Sequence, residues 1–297
     1  MSFDHIIGNY KAKQTLTKII ESNTIMHSYM FIGSSGIGKA LFAKEFAKMI
    51  LCSSIANTEK PCNYCKSCLE LENSNNPDLI EIEPENGTIK IEQIRKMTEK
   101  VLEKPIISNK KVYIIKDADT MTKEASNCLL KTLEEPPNYI TIILTGSNES
   151  SFINTIKSRC MKIVFNKIQD DILKEYLEKQ YKISLEENLI KACEGSIKKA
   201  LRVIEKKEQY EETLKIFSNI EVYNLLDAIK KLNFMYENKE DIYEILDYIN
   251  IILSNSLMQK PQYIQYIEKV EQTKRSLKSN SNYDMSIDSM IYKIWEE

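Results

Sequence analysis

The 297-residue sequence is 42% hydrophobic and 28% charged, proportions that are typical of a folded globular protein and unlike those of a disordered chain. Its formal net charge of −2 gives no basic excess of the kind that gathers nucleic acid over a whole protein surface. No stretch approaches the roughly 20 apolar residues needed to cross a bilayer and there is no basic-then-apolar leader, so we expect a cytoplasmic protein that does not enter a membrane.

A glycine-rich loop of the form G-x-x-x-x-G-K follows the first predicted strand (residues 29–32) and precedes a predicted helix (residues 40–51). This order suits a phosphate-binding loop, although the same glycines could form only a tight turn. The candidate nucleotide-binding residues of the loop are Gly33, Gly36, Gly38 and Lys39. Ala40 stands where a Mg²⁺-ligating Ser or Thr is expected. We therefore predict that ATP or ADP can bind as a static ligand and that it is not hydrolysed.

Four of the seven cysteines fall within one excursion after that helix, residues 52–68. Cys62, Cys65 and Cys68 have the spacing C-x-x-C-x-x-C, and Cys52 supplies a fourth thiolate, which is enough to close a tetrahedral structural Zn²⁺ site. Buried free thiols and redox chemistry are the alternatives. A ferredoxin-type cluster would need a further cysteine downstream followed by proline, which is absent. We expect the scattered cysteines to be buried as small apolar side chains: Cys128, Cys160 and Cys193.

Short apolar stretches that are typical of β-strands recur through the first half of the sequence. Strands are predicted over residues 79–82, 112–115, 141–144 and 163–165, with helical segments between them. This alternation predicts an α/β fold, in which a parallel sheet is covered by helices on both faces.

An aspartate follows the strand at residues 112–115, where a nucleotide hydrolase of this plan carries a metal-ligating Asp and then a Glu that activates water. Asp117 fits the first role, and Ala118 cannot fill the second. Asp119 could substitute for the missing base, but an aspartate in the first turn of a helix is favoured by the helix dipole alone, and we prefer that interpretation. Together, Ala40 and Ala118 predict that hydrolytic activity has been lost.

Arg159 lies in a Ser-Arg-Cys sequence just before the last predicted strand. Its spacing alone favours an ion pair with a carboxylate at the protein surface.

After residue 166 the pattern becomes helical, with helices predicted over residues 170–180, 186–193 and 197–207 and a helical block from residue 211 onward. The pair Gly195-Ser196 interrupts this pattern. We place domain boundaries near residues 167 and 208. The predicted domains are an α/β P-loop module (1–166), a small helical domain (167–208) and an all-α domain (209–297).

Several stretches together resemble the bacterial clamp-loader family of AAA+ ATPases, over roughly residues 5–205. They are His27–Phe31, the cysteine excursion followed by Asn76–Leu79, Ile91–Arg95, Leu129–Pro137 and Ser158–Cys160. The resemblance implies an AAA+ module with a zinc excursion, a helical lid over 167–208 and a helical collar over 209–297 that joins a five-membered ring. Such rings load a sliding clamp onto primed DNA, using ATP.

The resemblance is closest to the delta-prime type of the family, which lacks the hydrolytic groups missing here. It implies that Arg159 acts as an arginine finger on ATP held by a neighbouring subunit. It also implies that Lys198, where hydrolysing members carry Arg, belongs to the nucleotide site. The expected partners are gamma/tau-type ATPase subunits, the delta subunit and, through the DNA polymerase III complex, the clamp and primer-template DNA. The alternative is an ATP-hydrolysing gamma/tau-type subunit.

Overall fold

A parallel β-sheet organises the first half of the chain in a computed structural model that describes residues 3–57, 60–237, 239, 241–279 and 281–295. Its strands are β1 (Ser28–Ile32), β2 (Leu79–Ile82), β3 (Lys111–Ile115), β4 (Ile140–Gly146) and β5 (Met161–Val164). The order across the sheet is β2-β3-β4-β1-β5, and every neighbouring pair is parallel. The predicted strands are confirmed, with bounds that differ by one or two residues.

Helices cover both faces of this sheet, as the sequence predicts. They are α1 (Tyr10–Glu21), α2 (Lys39–Leu51), α4 (Ile91–Val101), α5 (Lys123–Glu134) and α6 (Asn154–Lys157), with α3 (Lys66–Glu72) packed beside α2. Helix α7 (Asp170–Tyr181) follows β5. Because successive strand residues point to opposite faces, they enter two separate apolar cores. Phe31 of β1 packs in one core with Phe42 of α2, whereas Met30 packs in the other with Leu129 of α5. The sheet is therefore buried on both sides, which explains its near-continuous apolar strands.

The remainder of the described chain is helical. Its helices are α8 (Glu187–Ala192), α9 (Ile197–Glu205), α10 (Lys207–Ser218), α11 (Leu225–Lys231), α12 (Phe234–Glu237), α13 (Ile242–Ser256), α14 (Tyr263–Lys278) and α15 (Tyr283–Trp295). Helix α13 packs against α10 and α14, and α14 packs against α15. In the first of these contacts the rings of Tyr210 and Tyr248 lie 5.2 Å apart. None of the described helices is long and apolar enough to cross a bilayer.

The chain divides into two compact units. One contains Met1–Tyr176 and Gly195–Ile197, and the other contains Leu177–Glu194 and Lys198–Glu297. Within the second unit, Arg202 of α9 pairs with Asp241 (3.0 Å) and with Glu244 of α13 (2.7 Å). The small helical domain predicted over 167–208 thus contributes residues to both units, and the division into three domains stays a prediction.

A buried carboxylate fixes the chain before β3. Asp78 is fully buried and accepts hydrogen bonds from the three backbone N–H groups of residues 106–108, at 2.7–2.8 Å. Asn76 donates its side-chain amide to Ser67 of α3 (3.0 Å), and the Ser108 hydroxyl donates to the Ser67 hydroxyl (2.9 Å). This network joins α3, the start of β2 and the loop before β3.

Asp78→Ala should lower the free energy of unfolding by at least about 3 kcal/mol, because it removes a fully buried carboxylate and leaves three backbone N–H groups, including that of buried Ser108, without their acceptor. Urea denaturation followed by circular dichroism measures this change. Glu99→Ala removes an exposed carboxylate from α4 and should change the same quantity by less than about 0.5 kcal/mol. Equal effects of the two substitutions would contradict the role given to Asp78.

Candidate functional site

The glycine-rich loop lies at the carboxyl end of β1 and leads directly into α2. A Cβ atom at Gly33 would lie 2.4 Å from the carbonyl oxygen of Phe165, so a side chain cannot be accommodated there. Gly36 (φ 76°) and Gly38 (φ 95°) have left-handed backbone conformations, and Gly38 immediately precedes the helix. The loop therefore presents the N-terminal end of α2, with its unpaired N–H groups and positive dipole, as an anion-binding position.

Lys39 is buried against this loop. Its Nζ donates hydrogen bonds to the carbonyl oxygens of Gly33 (2.7 Å) and Ser34 (2.8 Å). Burial lowers the pKa of Lys39, and the nearby carboxylates of Asp117 and Asp119 act in the opposite direction. An ammonium group has three donors, so one N–H remains for a phosphate oxygen. The fold thus brings together the loop lysine and both predicted acidic residues.

Asp117 follows β3 and is exposed at the same end of the sheet as the loop. Its backbone adopts a left-handed conformation (φ 46°), and its N–H donates to the Thr145 hydroxyl (3.1 Å) at the end of β4. Ala118, the next residue, is 2% exposed and offers no group that could activate water. The exposed carboxylate of Asp117 suits a metal ion, and the residue after it supplies no base.

Asp119 has a more specific contact than the sequence suggests. It lies in the first turn of a short 3₁₀ helix, Ala118–Thr120, in agreement with the preferred interpretation. However, its Oδ2 accepts the backbone N–H groups of Ser147 and Asn148, both at 2.9 Å. The carboxylate therefore fixes the loop after β4, and a role as base would require it to leave these two donors.

A cavity of about 410 Å³ is lined by residues from 8–13 and 164–172. Asn9 lies on its wall and accepts the backbone N–H of Asn166 through Oδ1 (2.7 Å). The Nδ2 of Asn9 is buried and has no hydrogen-bond partner. Buried amides are normally paired, so this donor suits a ligand with an acceptor at its edge. No local sequence pattern indicates this position, because the two segments that form it are separated by about 150 residues in the chain.

The four predicted metal ligands converge. The Sγ atoms of Cys52, Cys62, Cys65 and Cys68 all lie within 4.8 Å of one another. A tetrahedral ion with metal–sulfur bonds of about 2.3 Å would place its sulfurs about 3.8 Å apart, so small movements suffice to enclose one. The left-handed conformation of Asn63 (φ 60°) turns the chain between two of these cysteines. The donor set and its spacing fit a closed, four-thiolate metal site.

Backbone N–H groups support thiolates in this cluster. Cys65 caps the N-terminus of α3, where its Sγ accepts the N–H of Cys68 at 3.5 Å. Burial raises the pKa of Cys65, but the N–H donors of Ser53 and Cys68 outweigh it and lower that pKa to about 6. The Sγ of Cys62 likewise accepts the N–H of Cys65 (3.4 Å). These donors favour the thiolate form of Cys65, whereas burial raises the pKa of Cys52 and Cys68, so a metal ion would have to displace the protons of those two thiols on binding.

The other cysteines lie outside this cluster. Cys160 and Cys193 are buried, as predicted, and burial raises the pKa of Cys160 to about 11. Cys128 is only partly buried, so the prediction of full burial is wrong for it, although it packs against the core at the edge of α5.

Arg159 lies between α6 and β5, at the amino end of the sheet. The hydroxyl of Ser28, the first residue of β1, donates to the carbonyl oxygen of Arg159 (2.6 Å). The glycine loop begins beyond the opposite end of β1, and five residues of strand span about 16 Å at roughly 3.3 Å each. The surface ion pair expected from spacing is present, since Arg159 contacts Glu134 at 2.7 Å. Arg159 therefore lies far from the phosphate-binding loop of its own chain.

Lys198 lies in α9 and is exposed to solvent. It belongs to the second compact unit, whereas the glycine loop belongs to the first. Its assignment to a nucleotide site stays a prediction.

The chain is similar to known DNA polymerase III subunits. A family described as "DNA polymerase III, delta subunit" matches residues 8–169, more than half of the sequence. A tau/gamma subunit from Haemophilus influenzae is 32% identical over 207 residues, which are 67% of this chain and 30% of that protein. A delta' subunit from Bacillus subtilis is 30% identical over 226 residues, which are 76% of this chain and 67% of that protein.

The similarity to the tau/gamma proteins covers only part of the length of those proteins. A gamma/tau subunit from Mycoplasma genitalium is 31% identical over 269 residues, which are 86% of this chain and 44% of that protein. The chain thus spans less than half the length of these two larger relatives. The crystal structure of a gamma subunit-related protein from Thermotoga maritima has the same fold, with a TM-score of 0.51 and 19% identity, over 95% of this chain and 98% of that one.

Proposed function

The chain belongs to the clamp-loader family of DNA polymerase III subunits, and within that family we propose that it is a delta-prime-type subunit that does not hydrolyse ATP itself. Both delta' and tau/gamma proteins are among its relatives, so the choice between the two types depends on this chain's own residues. The observation that carries the proposal is the pair Ala40 and Ala118. These residues stand where a hydrolysing subunit needs a Mg²⁺-ligating hydroxyl and a water-activating carboxylate.

The alternative, a hydrolysing gamma/tau-type subunit, needs another base. Asp119 is the available carboxylate, and it already accepts two backbone N–H groups from the loop after β4. Each hydrogen bond to a charged group contributes about 1.5–3 kcal/mol, so releasing this carboxylate for proton transfer would be costly. The contacts of Asp119 therefore favour the non-hydrolysing type.

Nucleotide binding is a separate property from hydrolysis. The glycine loop, the remaining N–H of Lys39 and the exposed Asp117 can hold the phosphates of ATP or ADP with their metal ion. The cavity beside Asn9 has room for more of such a ligand. We propose that any bound nucleotide is static, and that Lys198 and the lid over residues 167–208 contribute to its site.

Arg159 gives the subunit its proposed catalytic role. Because it lies at the opposite end of β1 from its own glycine loop, it can meet a triphosphate only in a neighbouring subunit. Its planar guanidinium can bind two phosphate oxygens at once and offset the charge that develops during transfer. The neighbour would be a gamma/tau-type ATPase in a ring with a delta subunit, assembled through the collar over residues 209–297. That ring would load the sliding clamp onto primer-template DNA.

We propose that Zn²⁺ occupies the four-cysteine cluster and has a structural role. Four thiolates complete a tetrahedral shell, leaving no position for a substrate. The short excursion between Cys52 and Cys68 has little apolar core of its own, so a metal ion would supply its stability.

The purified chain with Mg²⁺ and ATP should show no steady-state hydrolysis above that of Lys39→Ala, because the two groups needed for water attack are absent. Phosphate release measured over several hours gives the comparison. Turnover that disappears in Lys39→Ala would establish a motor subunit and overturn the proposal.

In a ring reconstituted with gamma/tau-type and delta subunits, Arg159→Ala should reduce hydrolysis at the site it completes by about 10³-fold or more. Arg159→Lys keeps the positive charge but lacks the planar guanidinium that can bind two phosphate oxygens at once, so it should recover little of this loss. Lys162→Ala is the matched control, since it removes an exposed cation from neighbouring β5. Single-turnover hydrolysis measures the rates, and sedimentation verifies that every ring has assembled. An unchanged hydrolysis rate in an intact ring that contains Arg159→Ala would exclude Arg159 as an arginine finger.

The chain purified from cells grown with zinc should contain about one zinc ion per molecule by elemental analysis. Cys65→Ser should lose this ion and lower the melting temperature, because three thiolates hold zinc less tightly than four. Cys128→Ser, outside the cluster, should retain it. Equal zinc contents in the two variants would show that the cluster is not the binding site.

A further inference from the structure

The side chain of Arg159 is held at two points. Its Nη2 donates to Oε1 of Glu134 at 2.7 Å, and its Nη1 donates to the backbone carbonyl of Thr155 at 2.9 Å. A longer contact of 3.5 Å joins Nη1 to the Ser158 hydroxyl. Two anchors on different elements, the last residue of α5 and the second residue of α6, fix both the position and the plane of the guanidinium.

This arrangement leaves part of the guanidinium available. The group has five N–H donors, and the three contacts above use at most three of them. The Nε–H and one hydrogen of Nη2 remain, on a side chain that is 32% exposed. Arg159 thus keeps donors for an incoming anion while its other edge is fixed.

The backbone at Arg159 is also fixed. Its carbonyl accepts the Ser28 hydroxyl of β1, and its N–H donates to the carbonyl of Ile156 at 3.1 Å. Because the main chain is set by the sheet, the conformation of the side chain depends chiefly on Glu134 and on the Thr155 carbonyl. Of these two, only Glu134 can be changed by substitution.

We infer that Glu134 is a positioning residue, which holds Arg159 in the conformation that enters the neighbouring subunit's nucleotide site; this rests on the proposed function of Arg159. Without the carboxylate, a long exposed arginine samples many rotamers, and the ordering of its side chain must then occur during the reaction itself. Glu134 touches no substrate, and it acts only through Arg159.

The test is a double-mutant cycle in the reconstituted ring, read as the single-turnover rate of ATP hydrolysis. Glu134→Ala should lower this rate by about 10- to 100-fold, with the ATP concentration at half-saturation unchanged, because positioning affects the reaction step rather than nucleotide binding. Glu134→Gln keeps an acceptor oxygen for Nη2 and should recover part of the loss. In the Arg159→Ala background, Glu134→Ala should have no further effect.

Glu149→Ala is the matched control. Glu149 forms an exposed ion pair with Lys162 at 2.6 Å, similar in length and exposure to the Glu134–Arg159 pair. Glu149→Ala should leave the rate unchanged. All variants should keep the melting temperature of the unmodified chain, because the side chains of Glu134 and Glu149 are exposed and that of Arg159 is only half-buried.

The outcomes separate the inference from the function on which it rests. If Arg159→Ala leaves the rate unchanged, the proposed function fails and the inference fails with it. If Arg159→Ala lowers the hydrolysis rate but Glu134→Ala leaves that rate unchanged or increases it, only the positioning role of Glu134 is overturned. A loss from Glu134→Ala that persists in the Arg159→Ala background would also overturn it, since Glu134 would then act by another route.

Discussion

The parallel direction of the strands is the constraint on which the rest of the structure depends. It places every loop that follows a strand at one end of the sheet and every loop that precedes a strand at the other. The glycine loop, Asp117 and Asp119 follow β1 or β3 and meet at the carboxyl end. Arg159 precedes β5 and is bound at the amino end by the first residue of β1. One strand of about 16 Å therefore separates the glycine loop from Arg159 within this chain.

Retention of the glycine loop has a structural reason that does not depend on hydrolysis. Gly33 is required because its Cα lies against the carbonyl of Phe165, directly after β5. Phe165 in turn packs against the rings of Phe31 (5.1 Å) and Phe42 (4.9 Å) in the core beneath α2. The loop is thus part of the way in which β1, α2 and the end of β5 fit together. The need for glycine at residue 33 therefore does not depend on which side chains stand at residues 40 and 118.

The sequence predicts most of the fold because the strands of the sheet are buried on both faces and form apolar runs that stand out from the helical segments. The four cysteines are also predictable, since their ligand spacing is short and local. The pair of Glu134 with Arg159 and the contacts of Asp119 are different, because each joins residues 25 or more positions apart and depends on how helices and loops pack. The motif Glu134-Glu135-Pro136-Pro137 contains two adjacent carboxylates, and no local pattern indicates which one faces an arginine.

The hydrogen-bond network around Asp78 connects the cysteine cluster to the sheet. Ser67, adjacent to Cys68, bonds to both Asn76 and Ser108, while Asp78 holds the chain that leads into β3. Helix α3 is only seven residues long and buries few side chains, so its own contacts give it little stability. A metal ion at its N-terminus and this polar network along its side would fix it from two directions. The excursion is therefore joined to the sheet through Ser67, Asn76 and Ser108, and a bound metal ion would add a second anchor.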